Sequence, residues 1–163
     1  SLSTATFAQD YRTLPVNQAA SSLRISFATA ARNPAGLGGS QADVEKYLKE
    51  YHLPSMTLHT SDALKELSKS REQLLKLLTQ VTNAGSRDFI NELIFTYGRG
   101  MARGNFHPAV RYNAVLMLGD LDQQLGSGSA APVPMAKATQ ELLELVEKED
   151  FNKVPPKPVT YRF

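Results

Sequence analysis

The stretch that most constrains this chain is residues 107–121, His-Pro-Ala-Val-Arg-Tyr-Asn-Ala-Val-Leu-Met-Leu-Gly-Asp-Leu. Pro108 suits a first helical turn, where the N–H it lacks would have had no partner. At about 100° per residue, Val110, Ala114, Met117 and Leu121 fall on one stripe, with Leu118 at its edge. Ala114 and Gly119 are small enough to admit a close neighbour. The stretch therefore reads as the second helix of a helical hairpin. The first helix opens at Ser86 or Arg87, after Gly85 has ended the helix before it, and carries a wide apolar face of Phe89, Ile90, Leu93, Ile94, Tyr97 and Met101. Only Gly104, Asn105, Phe106 and His107 join the two, so they run antiparallel, with Leu93, Tyr97, Val110, Ala114 and Met117 expected in one shared core.

The flanking sequence extends this helical reading. Residues 1–17 mix polar residues with Phe7, Tyr11, Leu14 and Val16, and Pro15 interrupts them, which predicts an extended arm docked by its aromatic residues. Residues 18–32 are alanine-rich. Ala20, Leu23, Phe27 and Ala30 share a helical face, which outweighs the strand-like alternation of Leu23, Ile25 and Phe27. Residues 33–40, with three glycines and a proline, make a loop; they lack the Gly-Lys-Ser/Thr ending that a phosphate-cradling loop needs. A short amphipathic helix over 41–52, carrying Val44, Tyr47, Leu48 and Tyr51, is ended by Pro54. Thr60 or Ser61 then caps a longer helix running to about Asn83, with Leu64, Leu67, Leu74, Leu75, Leu78 and Val81 on its face and Arg71 among them. The Arg71 stem can pack there while its guanidinium reaches water or a carboxylate. Residues 126–134 are rich in Gly, Ser and Pro, a composition expected to resist helix and sheet alike and to make a mobile loop. A last helix carries Met135, Ala138, Leu142, Leu145 and Val146, its exposed side made acidic by Glu141, Glu144, Glu147, Glu149 and Asp150. From Phe151 the prolines at 155, 156 and 158 predict an extended tail.

The pattern Pro-Ala-Val-Arg-x-x-Ala-x-x-x-Leu-Gly-x-Leu of residues 108–121 resembles the inner helix of a HEAT repeat, within one repeat of about residues 86–122. The resemblance implies an all-α fold, an α-solenoid fragment of stacked antiparallel helix pairs over residues 18–150, with the irregular arm before it and the Pro-rich tail after it. It also implies a joining role for Arg111, with Asp120 or Asp122 as its acid; the position before the helix where the family usually has an aspartate is Asn105 here. HEAT-like architecture serves many unrelated functions, so it identifies none by itself.

At 163 residues the chain suits a single domain that buries roughly 70% of its unfolded surface. It starts at Ser1, which reads as a piece excised from a longer chain. Without cysteine, the chain has no disulfide, no Cys-ligated zinc and no thiol nucleophile, and its compartment stays open. No apolar run approaches the roughly 20 residues of a membrane helix. His52, His59 and His107 match no metal-ligand spacing, and no Gly-x-Ser-x-Gly elbow occurs, so neither metal, cofactor nor catalytic group is expected. The net charge of +2 is too small to argue for a phosphate-rich partner.

One cation cluster stands out. Arg99, Arg103 and Arg111 gather where Gly98 and Gly100 are expected to loosen the end of the first helix. Arginines at a helix C-terminus answer its dipole and free carbonyls, so the leading account is structural, with Asp88, Glu92 and Asp120 as balancing acids. The same three are the candidate interaction surface. The function expected is a non-catalytic scaffold or protein-interaction module, whose partner is another protein or a neighbouring domain of the same chain. A nucleic-acid module using the three arginines comes second. A HEAT-like enzyme, resembling DNA glycosylases or chromophore lyases, comes last, because the chain has no Trp.

Overall fold

A computed structural model describes residues 10–148, and these are predominantly helical with one two-stranded sheet. The arm before the first helix follows no regular path but is held by its backbone. Arg12 N–H donates to the Asn105 carbonyl at 2.8 Å, Leu14 N–H to Thr57 Oγ1 at 2.8 Å, and Asn17 N–H to the Glu50 carbonyl at 2.7 Å. The expected helix over 18–32 is present as a 3₁₀ stretch (Gln18–Leu23), capped by the Asn17 side chain, that runs into α1 (Arg24–Ala31). Ile25 is 77% exposed while Phe27 is fully buried, which disposes of the strand alternative, since residues two apart on a strand share a face.

The helix expected to end before Pro54 instead continues through it. α2 (Gln41–Lys46) passes into a π-helical segment (Tyr47–His52) and then one further α turn, α3 (Leu53–Ser55). Pro54 has no N–H to offer the Glu50 carbonyl four residues back, and that carbonyl takes the Asn17 N–H instead. The arm thus repairs the gap that would otherwise stop the helix there.

α4 (Ser61–Leu78) starts at the Thr60 hydroxyl, which accepts from Ala63 N–H, and ends well before Asn83. Asn83 belongs to the next element. Its Oδ1 accepts the Ser86 N–H and caps α5 (Ala84–Arg103), so Gly85 lies inside a first turn and terminates nothing. The glycine loop is pinned to this same cap. Asn83 Nδ2 donates to the Pro34 carbonyl, Ser86 Oγ accepts the Leu37 N–H, and Gly36, at φ +96°, passes close to both side chains.

α6 (Pro108–Gly119) lies antiparallel on α5, with Gly98 facing Met117 and Leu118 and Arg111 facing Ala102. Val110, Ala114 and Met117 are buried as expected; Leu93 and Tyr97 pack at the margin. Gly98 does not loosen α5. It is buried in an unbroken helix, and a Cβ there would come within 3.0 Å of Leu118 Cδ2 and 3.1 Å of Met117 Cε. We expect Gly98→Leu and Ala114→Leu each to cost about 1–3 kcal/mol by overpacking this contact, read as a shift in the urea midpoint at constant slope.

The Gly-Ser-Pro stretch is exposed, as its composition predicts, but it does not resist sheet throughout. β1 (Asp122–Gln124) pairs antiparallel with β2 (Val133–Pro134), and Ser127 and Ala130 bridge across the tip, where Gly128 at φ +57° makes the turn. So short a ladder needs little strand propensity once Asn91 Nδ2 holds the Asp122 carbonyl at 3.0 Å and Leu121 and Met135, both buried, anchor its two ends. α7 (Ala136–Lys148) comes next and runs parallel to α5, as shown by the successive pairs Glu92–Lys137, Arg99–Glu141 and Arg103–Glu144. One continuous apolar cluster reaches from Phe27 to Ala138. Phe7 and the expected extended tail lie outside the described residues.

Candidate functional site

α5 sets Arg99 and Arg103 four residues apart, hence on one face, and α7, which packs on α6, brings Glu141 and Glu144 to them. Arg99 Nε is 2.9 Å from Glu141 Oε2, Arg103 Nε binds the other oxygen of the same carboxylate, and Arg103 Nη2 reaches Glu144 Oε2 at 3.0 Å. Glu141 is only 4% exposed, so it does not belong to an exposed acidic side; the arginines fold it inward. The hydrogen bond to Glu141 raises the Arg103 pKa above its ordinary value. The Glu144 pKa is lowered, first by its bond to Lys148 and then, beyond that ion pair, by Arg103 and Arg99.

Arg111 does not join this clamp. Its Nε donates to the Ala102 carbonyl at 3.0 Å and so covers the C-terminal end of α5. Of the two acids expected for Arg111, Asp122 interacts with Arg87, and Asp120 is used by Arg71: Asp120 Oδ2 stands 3.7 Å from Arg71 Nε, and Arg71 Nη1 donates to Asn113 Oδ1 at 3.1 Å. Arg71, from the middle of the α4 stripe, is therefore what ties α4 to α6. Of the other balancing acids expected, Glu92 pairs with Lys137.

With Glu141 and Glu144 already on Arg99 and Arg103, a phosphate would have to displace them. We expect the triple variant Arg99→Gln, Arg103→Gln, Arg111→Gln to melt at lower temperature and to bind a generic duplex no differently from the parent. Fluorescence anisotropy at two salt concentrations checks it. Tight binding with a log–log salt slope of about −0.9 per phosphate, lost in the triple variant, would overturn the structural account.

Two histidine sites differ in character. His52 is 5% exposed; its Nδ1 meets the Tyr47 hydroxyl at 3.1 Å, and burial drives its pKa down to about 4. It borders a polar cavity of about 310 Å³ shared with Arg24, Tyr51, Ser70 and Gln73. His59 and His107 stack with ring centroids 6.2 Å apart, and Tyr11 of the arm sets its ring edge-on to both, at 6.0 and 5.1 Å. His107 Nδ1 accepts the Ala109 N–H at the start of α6, and burial first, then the His59 charge, lower its pKa. Tyr11 thus docks the arm through an aromatic contact, as its sequence predicts. Among the described residues no group of three or more His, Cys, Asp or Glu is placed to hold a metal ion, and no helix is long and apolar enough to cross a membrane.

The feature that sequence reasoning missed is apolar. Ala102, Pro108, Arg111, Tyr112, Val115, Leu142, Leu145 and Val146 line a groove of about 610 Å³ between α6 and α7, with Tyr112 67% and Val146 58% exposed. Arg111 is the one member of the candidate trio on its wall. The signal was there in α6, where Tyr112 and Val115 add a second apolar side to the stripe of Val110, Ala114 and Met117. A helix apolar on both sides expects a neighbour on both.

Compared with family models, with curated proteins and with solved structures, the chain finds no match in any of the three.

Proposed function

We propose that this chain is a non-catalytic scaffold or protein-interaction module built on HEAT-like stacked helix pairs, and that its partner is another protein or a neighbouring domain of the same chain. The observation that carries the reading is the groove between α6 and α7, whose walls are carbon-rich and which leaves two large apolar side chains, Tyr112 and Val146, exposed. An amphipathic helix laid in such a groove buries one apolar stripe, and each large side chain removed from water contributes on the order of 1.5–3 kcal/mol. The stacking part of the proposal is supported by α6 lying antiparallel on α5 while α7 lies parallel to α5. The non-catalytic part is supported by the use of charged groups: Glu141, Glu144 and Asp120 are tied to arginines, and the Nδ1 of buried His52 is engaged by the Tyr47 hydroxyl.

The test is a titration with a panel of amphipathic helical peptides that carry apolar residues at i, i+4 and i+7. Saturable binding that weakens at least tenfold in the Tyr112→Ser, Val146→Lys double variant is expected. Both positions are exposed, so the fold tolerates the change. Peptides that bind the double variant equally well, or bind neither protein, would overturn the reading.

A further inference from the structure

We propose that the cavity bordered by α1, the π-helical segment and α4 is a binding site for a small polyhydroxy carboxylate, with Arg24 holding the carboxylate and His52 Nε2 donating to the ligand from the buried side. The proposal goes beyond the interaction-module reading and does not rest on it, since the groove of that reading lies between α6 and α7.

The π-helical segment makes the site. Residues five apart on an α-helix point about 140° away from each other, so Tyr47 and His52 would face different ways on one. Bonding from i to i+5 brings them round to the same side, and the Tyr47 hydroxyl meets His52 Nδ1 at 3.1 Å. Such segments are rare and concentrate at functional sites. Burial raises the Tyr47 pKa against a lowering by Arg24, so the phenol keeps its proton and donates it to Nδ1. The proton of the neutral imidazole then sits on Nε2. That nitrogen is buried and makes no hydrogen bond, and its ring lines the cavity. A buried donor without an acceptor is costly, and a ligand oxygen in the cavity removes the cost.

The charges around the cavity select the ligand. Burial lowers the His52 pKa to about 4; the Ser70 backbone opposes this, without hydrogen-bonding geometry at Nε2, and the Arg24 charge adds to it. The ring is therefore neutral near pH 7. Among the described residues lining the cavity, Arg24 carries the only positive charge and none is acidic. Arg24 itself has neither an ion pair nor a hydrogen bond among the described residues, although its planar fork is the group best matched to a carboxylate. One positive charge suits a carboxylate better than a phosphate monoester, which carries nearly two negative charges. The Ser70 hydroxyl and the Gln73 amide also stand on the lining without a side-chain hydrogen bond. Ser21 and Ser55 give their protons to the Gln18 and His52 carbonyls and can still accept. Donors and acceptors side by side suit the hydroxyls of a polyol chain. At about 310 Å³ the cavity lies at the small end of ligand pockets, roughly 300–1,000 Å³.

The test is a nuclear magnetic resonance titration of the full 163-residue protein, labelled with ¹⁵N in its histidine rings. Three probes are compared: D-gluconate, sorbitol, which keeps the polyol and lacks the carboxylate, and inorganic phosphate. Gluconate is expected to shift the His52 ring nitrogens saturably, with Kd on the order of millimolar or below, and to bind at least tenfold more weakly to Arg24→Gln. Arg24 is exposed and unpaired, so the variant should keep the urea midpoint of the parent. Gluconate that leaves the His52 signals unmoved, that binds Arg24→Gln equally well, or that is matched by sorbitol would overturn the proposal. Phosphate binding more tightly than gluconate would overturn it in favour of a phosphate site.

Discussion

Phe27→Ala is expected to cost about 3–5 kcal/mol, more than any other single substitution proposed for this chain. Phe27 is fully buried and meets Tyr47 with ring centroids 5.9 Å apart, and it stands at the N-terminal end of a cluster that continues without a break to Ala138. Truncation to alanine loses the transfer energy of the ring and opens a cavity between α1 and the π-helical segment, which cannot collapse around it without moving both. For a chain of this size the melting temperature falls by on the order of 10 °C. The measurement also tests whether the chain is one domain. Hydrogen exchange followed by mass spectrometry should show α1 and α7 losing protection together in parent and variant. If α1 opens alone, the chain comprises two cooperative units.

Acid should weaken the fold through His52, and the sign follows from its burial. The folded-state pKa of about 4 lies below the 6.5 of an unfolded histidine, so between these values the unfolded chain takes up a proton that the folded chain refuses. Stability from this group is complete above about pH 6.5 and is lost as pH falls toward 4, by about 2–3 kcal/mol in all. The physical cost is that of charging an imidazole beside Tyr47 in a site 5% open to water. Urea midpoints at pH 7 and pH 4.5 for the parent and for His52→Gln check it: the parent should lose about 2 kcal/mol more than the variant. Equal losses would show that His52 titrates normally. His107, also lowered, acts in the same direction; a parallel His107→Asn series separates its share while keeping a cap on α6.

The helices themselves were legible. Pro108 opens α6, the stripe of Val110, Ala114 and Met117 is buried, and the four-residue link before Pro108 makes α5 and α6 antiparallel, all from residue spacing alone. These are local consequences of a 3.6-residue period and of chain length, and both are properties of a linear string. Boundaries were harder wherever a distant group supplied the missing hydrogen bond. Pro54 reads as a stop until the Asn17 N–H is seen on the Glu50 carbonyl, and Gly85 reads as an end until Asn83 is seen capping α5. The Gly-Ser-Pro stretch reads as a linker until Asn91 and the buried Leu121 and Met135 hold its ends together.

The candidate site divides in the same way. That Arg99 and Arg103 share a face was written in their spacing, as was the presence of carboxylates on α7. That Glu141 turns inward between the two arginines, that Asp120 pairs with Arg71 and not with Arg111, and that Tyr112 and Val146 wall one groove depend on which helix lies against which. Periodicity establishes which residues share a face of one helix. Which two faces meet is settled by the total burial and charge pairing of all the helices at once, and for this chain only the tertiary structure carries that sum.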